Sequence, residues 1–72
     1  MRTNKDGEVL VAPDIFEGLE YVRASGETNM MDRNAVIKIA MREGYYEAAN
    51  YVMENKDEYF HGFMHGFAPV EE

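Results

Sequence analysis

The chain has no cysteine in its 72 residues. No disulfide can staple the fold, and no thiol is present to serve a cysteine enzyme. The absence is compatible with a reducing compartment. Basic side chains are scarce: 7 Lys and Arg stand against 14 Asp and Glu, for a formal net charge of −7. That balance disfavours nucleic-acid binding, which needs cations to displace the counterions of phosphates. It disfavours anionic membrane surfaces for the same reason. No apolar run approaches the roughly 20 residues of a membrane span. The opening Met1-Arg2-Thr3-Asn4-Lys5-Asp6-Gly7 lacks the apolar stretch of a secretory signal. No phosphate-binding loop or nucleophile elbow is present, and Ser25 has no His nearby in sequence. No catalytic constellation and no cofactor are therefore expected.

What is present is apolar material in quantity. Hydrophobic residues make up 46% of the chain, including 5 Tyr, 4 Phe and 6 Met. This excludes a wholly disordered chain. A chain this short buries only about 60% of its unfolded surface, so compact helix packing or self-association must supply stability.

Residues 1–12 stand apart. Lys5-Asp6-Gly7 signals a turn, and Glu8-Val9-Leu10-Val11 reads as a short strand, a docked extended arm or a frayed terminus. A lone strand is not stable, so a strand here needs a partner, in this chain or a second subunit. Pro13 suits the first turn of a helix, with Asp14 and Glu17 complementing its dipole. Ile15, Leu19 and Val22 form its apolar stripe, and Gly26 ends it. A second helix starts at Asp32 and stops at Gly44. A third runs from about Tyr45 to Glu54, with Tyr45, Ala48, Ala49, Val52 and Met53 inward. Asn55 followed by Glu58 reads as a capping box for a fourth helix that ends near Phe63 or His65. The expected fold is all-α: a compact bundle of three to four short helices over residues 13–67. An extended or flexible N-terminal arm precedes it, and a flexible acidic tail over residues 68–72 follows.

Ser25-Gly26-x-Thr28-Asn29-Met30-x-Asp32-x-Asn34-Ala35-Val36, followed by Ile39-Ala40-x3-Gly44-Tyr45-Tyr46, carries a family resemblance. It resembles DUF5049, a family of short phage and prophage proteins of unknown function. Val22-Arg23-Ala24 opens the likeness, and Asn50 to Asn55 with Glu58-Tyr59 continue it, so that it covers roughly residues 15–60. Met31 and Tyr45 stand where the family has Phe. The resemblance implies a phage accessory protein and no particular activity.

Candidate sites follow from residue type. Thr28, Asn29, Met30, Met31, Asp32 and Asn34 surround a helix start. Such a loop holds an anionic ligand if its N–H groups are free; if Asp32 caps and Asn29 or Thr28 braces, it is structural. Tyr45, Tyr46, Tyr59 and Phe63, with Tyr51, Phe60 and Phe67, exceed what one small core needs and offer a partner surface. Glu43, Glu47, Glu54, Asp57 and Glu58 form a candidate acidic face, joined by Glu17 and Glu20. His61 and His65, four apart, are weak metal candidates, with Asp57 four residues earlier; no metal site is assigned. Helix-turn-helix geometry around residues 32–54 meets an objection: the helix that would enter a groove carries Glu47 and Glu54 and no base. The expectation is a cytoplasmic accessory protein that binds and inhibits or redirects a host protein, with self-association open. The alternative is an oligomer that sequesters a small nucleotide-like molecule.

Overall fold

A computed structural model describes residues 1–71. The order is β1 (Val9–Val11), α1 (Pro13–Ser25), α2 (Arg33–Arg42), α3 (Tyr46–Glu54), α4 (Lys56–His65) and β2 (Phe67–Pro69). Pro13 opens α1 and Gly26 closes it in the left-handed conformation, its N–H donating to the Arg23 carbonyl. Asp32 caps α2 by accepting the Ala35 N–H at 3.2 Å. At the same end of α2, Arg33 donates to the Val52 carbonyl and so ties the helix start to α3.

Among the described residues, twelve apolar ones form one core. From the helices come Leu19, Val22, Val36, Ile39, Ala40, Ala48, Ala49, Tyr51, Val52 and Tyr59; β1 adds Val9 and Val11. Ala48 and Ala49 are fully buried where α3 meets its neighbours. Gly18 of α1 completes that crossing: a Cβ there would lie 2.6 Å from the Cβ of Ala48 and 2.9 Å from that of Tyr45.

Two strands make the molecule mostly helical rather than all-α. β1 and β2 pair in parallel, with Val9 opposite Phe67, Leu10 opposite Ala68 and Val11 opposite Pro69. Parallel strands require a crossover connection, and the helices α1 to α4 between β1 and β2 supply it. A turn held by the Asn4 side chain also folds residues 2–4 back on the other edge of β1, where Leu10 N–H donates to the Arg2 carbonyl. The N-terminal segment is therefore docked through alternate residues: Val9 and Val11 face the core while Leu10 is half-buried. Ala68 and Pro69, expected in a flexible tail, lie in β2; Glu72 is outside the described residues.

Two helix-level expectations are also corrected. Asn55 makes no capping bond to α4. It ends α3 and begins α4 with no loop between, and its side-chain amide turns back to the Tyr51 carbonyl at 3.1 Å. Met53 is 50% exposed rather than inward. The buried arc of α3 is turned towards Tyr51, which packs under Phe67, and Met53 falls past its far edge.

Candidate functional site

An open groove of about 270 Å³ runs between α1 and α4. Its apolar floor is Leu19 from α1, Met30 from the α1–α2 loop, Tyr59 from α4 and Phe67 from β2; Phe63 stands at its side. Gly62 lets the groove exist in this form: a Cβ there would overlap the ring of Phe67. The Phe67 ring packs against Tyr59 at 5.8 Å and edge-on to Tyr51 at 6.2 Å. Arg23 and Glu20 form the polar rim as a two-point ion pair, 2.7 and 3.0 Å. The hydrogen bond from Arg23 is the main reason the Glu20 carboxyl lies below its ordinary range.

The polar loop before α2 is largely occupied with itself. The Asn29 side-chain oxygen accepts the Met31 N–H at 2.8 Å, and the Asn29 carbonyl accepts the Asp32 N–H at 2.9 Å. Thr28 is half-buried, its hydroxyl 3.4 Å from the Asn29 carbonyl. Met30 packs against the core, and its carbonyl accepts the Tyr59 hydroxyl. Met31 and Asn34 are exposed. Of the loop candidates, the groove thus takes only Met30. Asp32→Ala is expected to cost about 1 kcal/mol by loss of the cap, a fall of roughly 4–8 °C in Tm; thermal unfolding followed by circular dichroism checks it. An unchanged Tm would remove the cap from the account.

Residues 13–66 match the family described as Domain of unknown function (DUF5049). The chain belongs to that family. No curated protein and no solved structure matches it. The DUF5049 region spans all four helices and ends at Gly66, so β1 and β2 both lie outside it.

Within the DUF5049 helices the other candidate residues scatter. Tyr45 stacks on Tyr21, ring centres 5.3 Å apart, while Tyr46 is 58% exposed on the first turn of α3. The aromatic set thereby divides: Tyr51 and Tyr59 are buried, Phe63 and Tyr46 are exposed, and Tyr45, Phe60 and Phe67 lie between. Glu43 accepts from Arg42 at 2.8 Å and from the Tyr21 hydroxyl at 3.0 Å, while Arg42 also grips Glu27 at 2.6 and 2.9 Å. Hydrogen bonds from Arg42 lower the carboxyl of Glu27, and that of Glu43 with Tyr21's help. Glu47, Glu54 and Asp57 remain exposed; Glu58 is half-buried. The Tyr51 hydroxyl is buried without a hydrogen-bond partner. Burial first, and the Glu58 carboxylate second, push its pKa up.

His61 and His65 sit with ring centres 4.5 Å apart. Among the described residues, no group of three or more His, Cys, Asp or Glu is placed to hold a metal ion, so Asp57 does not extend the pair. No helix among them is long and apolar enough to cross a membrane. The groove contributors that sequence reasoning did not assemble are Leu19, Glu20, Arg23, Gly62, Gly66 and Phe67. Leu19 signals only apolarity in the sequence, Phe67 groups with the aromatic surface and Glu20 with the acidic face, and glycine in a helix signals only a weak propensity. Their convergence depends on how α4 lies on α1.

Proposed function

We propose that this protein is a small accessory module of phage type that binds a host protein and inhibits or redirects it. The observation that carries the reading is the groove: an apolar floor beside an exposed Phe63, on a chain of net charge −7. Its volume suits one or two apolar side chains of a partner. The surplus of carboxylates steers a partner with a basic surface, and the groove anchors it. Sequestration of a nucleotide-like molecule near Thr28–Asn34 draws less support. The Ala35 and Met31 N–H groups already have acceptors, and the groove's guanidinium is already paired with Glu20.

The test is recovery of the tagged protein from bacterial lysate, followed by native mass spectrometry, for the wild type and for Phe63→Asp. A single protein of fixed stoichiometry, released by salt and lost in a folded Phe63→Asp variant, is the expected result. With that partner purified, Phe63→Ala should weaken binding at least about tenfold. Replacing Glu47, Glu54 and Asp57 by their amides should slow association. A partner retained equally by Phe63→Asp would dismiss the groove. A bound small-molecule mass in place of a protein would favour sequestration.

A further inference from the structure

The seat on Gly62 already has an occupant, and that occupant belongs to a segment joined to the rest by one residue. Phe67 lies on Gly62 between Tyr51 and Tyr59. The strand that carries it is fastened by Val9 N–H to the Gly66 carbonyl at 2.9 Å and by Val70 N–H to the Val11 carbonyl at 2.8 Å. Helix α4 runs up to this point without a loop: the Gly66 N–H still donates to the Gly62 carbonyl. Only the dihedrals of Gly66, φ 102° and ψ 161°, turn the chain back. That region of backbone space belongs essentially to glycine.

We propose that two copies of the chain exchange this strand, so that the groove of each protomer is completed by the partner's Phe67. If Gly66 takes helical dihedrals, α4 continues through it and carries β2 away from its own seat. The vacated seat and the open edge of β1 then accept the same residues from a second copy. The Phe67 contacts with Gly62, Tyr51 and Tyr59 and the pairing of β2 with β1 are remade, and nothing in the seat distinguishes a chain's own strand from another's. Short connections that hold the chain in a restricted conformation favour such exchange. Met64, 75% exposed on the same helix, supplies apolar surface for the copy alongside to cover. The consequence is a groove built from two chains, since Phe67 forms part of its floor.

In the wild type, glycine adopts the turned conformation freely, so the closed monomer prevails at low concentration. Gly66→Ala penalises that turn, and the added Cβ also meets Glu8 at 3.2–3.3 Å. Sedimentation velocity should show the wild type as a monomer at about 10 µM and increasingly a dimer towards about 1 mM, the scale of a tethered strand's effective concentration. Gly66→Ala should dimerise at least about tenfold more tightly. A folded Gly66→Ala chain that stays monomeric throughout overturns the proposal.

A second measurement decides the matter should Gly66→Ala fail to fold. Leu10 and Ala68 are paired across the strands and half-buried, and the chain has no cysteine of its own. Leu10→Cys chains and Ala68→Cys chains, refolded together at high concentration and oxidised, should yield the mixed disulfide in preference to either homodimer. Its absence overturns the exchange. Neither measurement involves a host protein, so the outcome is independent of the function proposed above.

Discussion

Gly18→Ala is expected to lower the melting temperature by roughly 5–15 °C, although alanine is the better helix former by about 1 kcal/mol. The sign is set by what the new methyl group meets. Its nearest neighbours are the Cβ atoms of Ala48 and Tyr45, at 2.6 and 2.9 Å. A Cβ cannot swing aside as the end of a long side chain does, because its position is fixed by its own backbone. Relief therefore requires α1 and α3 to move apart, and that separation loosens the packing of Leu19, Val22, Ala49 and Val52, all at most 2% exposed. Overpacking of this kind costs about 1–3 kcal/mol and more for larger groups. A domain of this length has about 4–11 kcal/mol to lose. Gly18→Leu should accordingly abolish cooperative unfolding. The double variant Gly18→Ala with Ala48→Gly should recover part of the loss, because it removes the shorter of the two contacts. A melting temperature that rises in Gly18→Ala would show that helix propensity outweighs the crossing.

The helices were legible because their signals are local. Pro13, Asp32, Gly26 and Gly44 act on the backbone within a few residues, and so they mark boundaries before anything is packed. Gly18 is ambiguous in sequence, since a glycine inside a helix fits a tolerated weakness as well as a close approach. Its answer required Ala48, thirty positions later. The strand pair was half legible: the short apolar run Val9-Leu10-Val11 after a turn signal reads as a strand or a docked arm, whereas Phe67-Ala68-Pro69 does not read as a strand and acquires its strand geometry from β1. The Asn55 capping box failed for a related reason. Its residues fit the pattern, but α3 ends at the same position and claims the side chain for its own last turn. The groove was the least legible feature. Met30, Tyr59 and Phe63 were candidates for their chemistry, yet their neighbours Leu19, Arg23 and Gly62 are ordinary in sequence and meet only through long-range packing.

Tyr59 is expected to be the other residue on which the fold depends, and pH offers a way to separate its hydroxyl from its ring. It is fully buried, the largest side chain among the described residues to be so. Its hydroxyl donates to the Met30 carbonyl at 2.5 Å, joining α4 to the loop before α2. Its ring packs against Phe60 and Phe67. Tyr59→Ala should cost about 3–5 kcal/mol through the cavity alone and leave little folded protein. Tyr59→Phe keeps the ring and strands the Met30 carbonyl, for about 1–2 kcal/mol. Burial pushes the Tyr59 hydroxyl up to about 12, and the buried Tyr51 moves in the same direction. A raised folded pKa on a neutral acid means that the unfolded chain gives up its proton first. The stability tied to each hydroxyl is thus complete below the unfolded pKa near 10 and is lost as pH rises from there through the folded value. Each such group contributes a slope of about 1.4 kcal/mol per pH unit within that window. Urea midpoints should stay level from about pH 7 to 9 and fall steeply between about pH 10 and 12. In Tyr59→Phe the fall should be shallower by about one proton, with Tyr51 supplying most of the remainder. An identical alkaline slope in the two proteins would mean that Tyr59 ionises as readily folded as unfolded, and that its hydroxyl is not sealed between Met30 and the core.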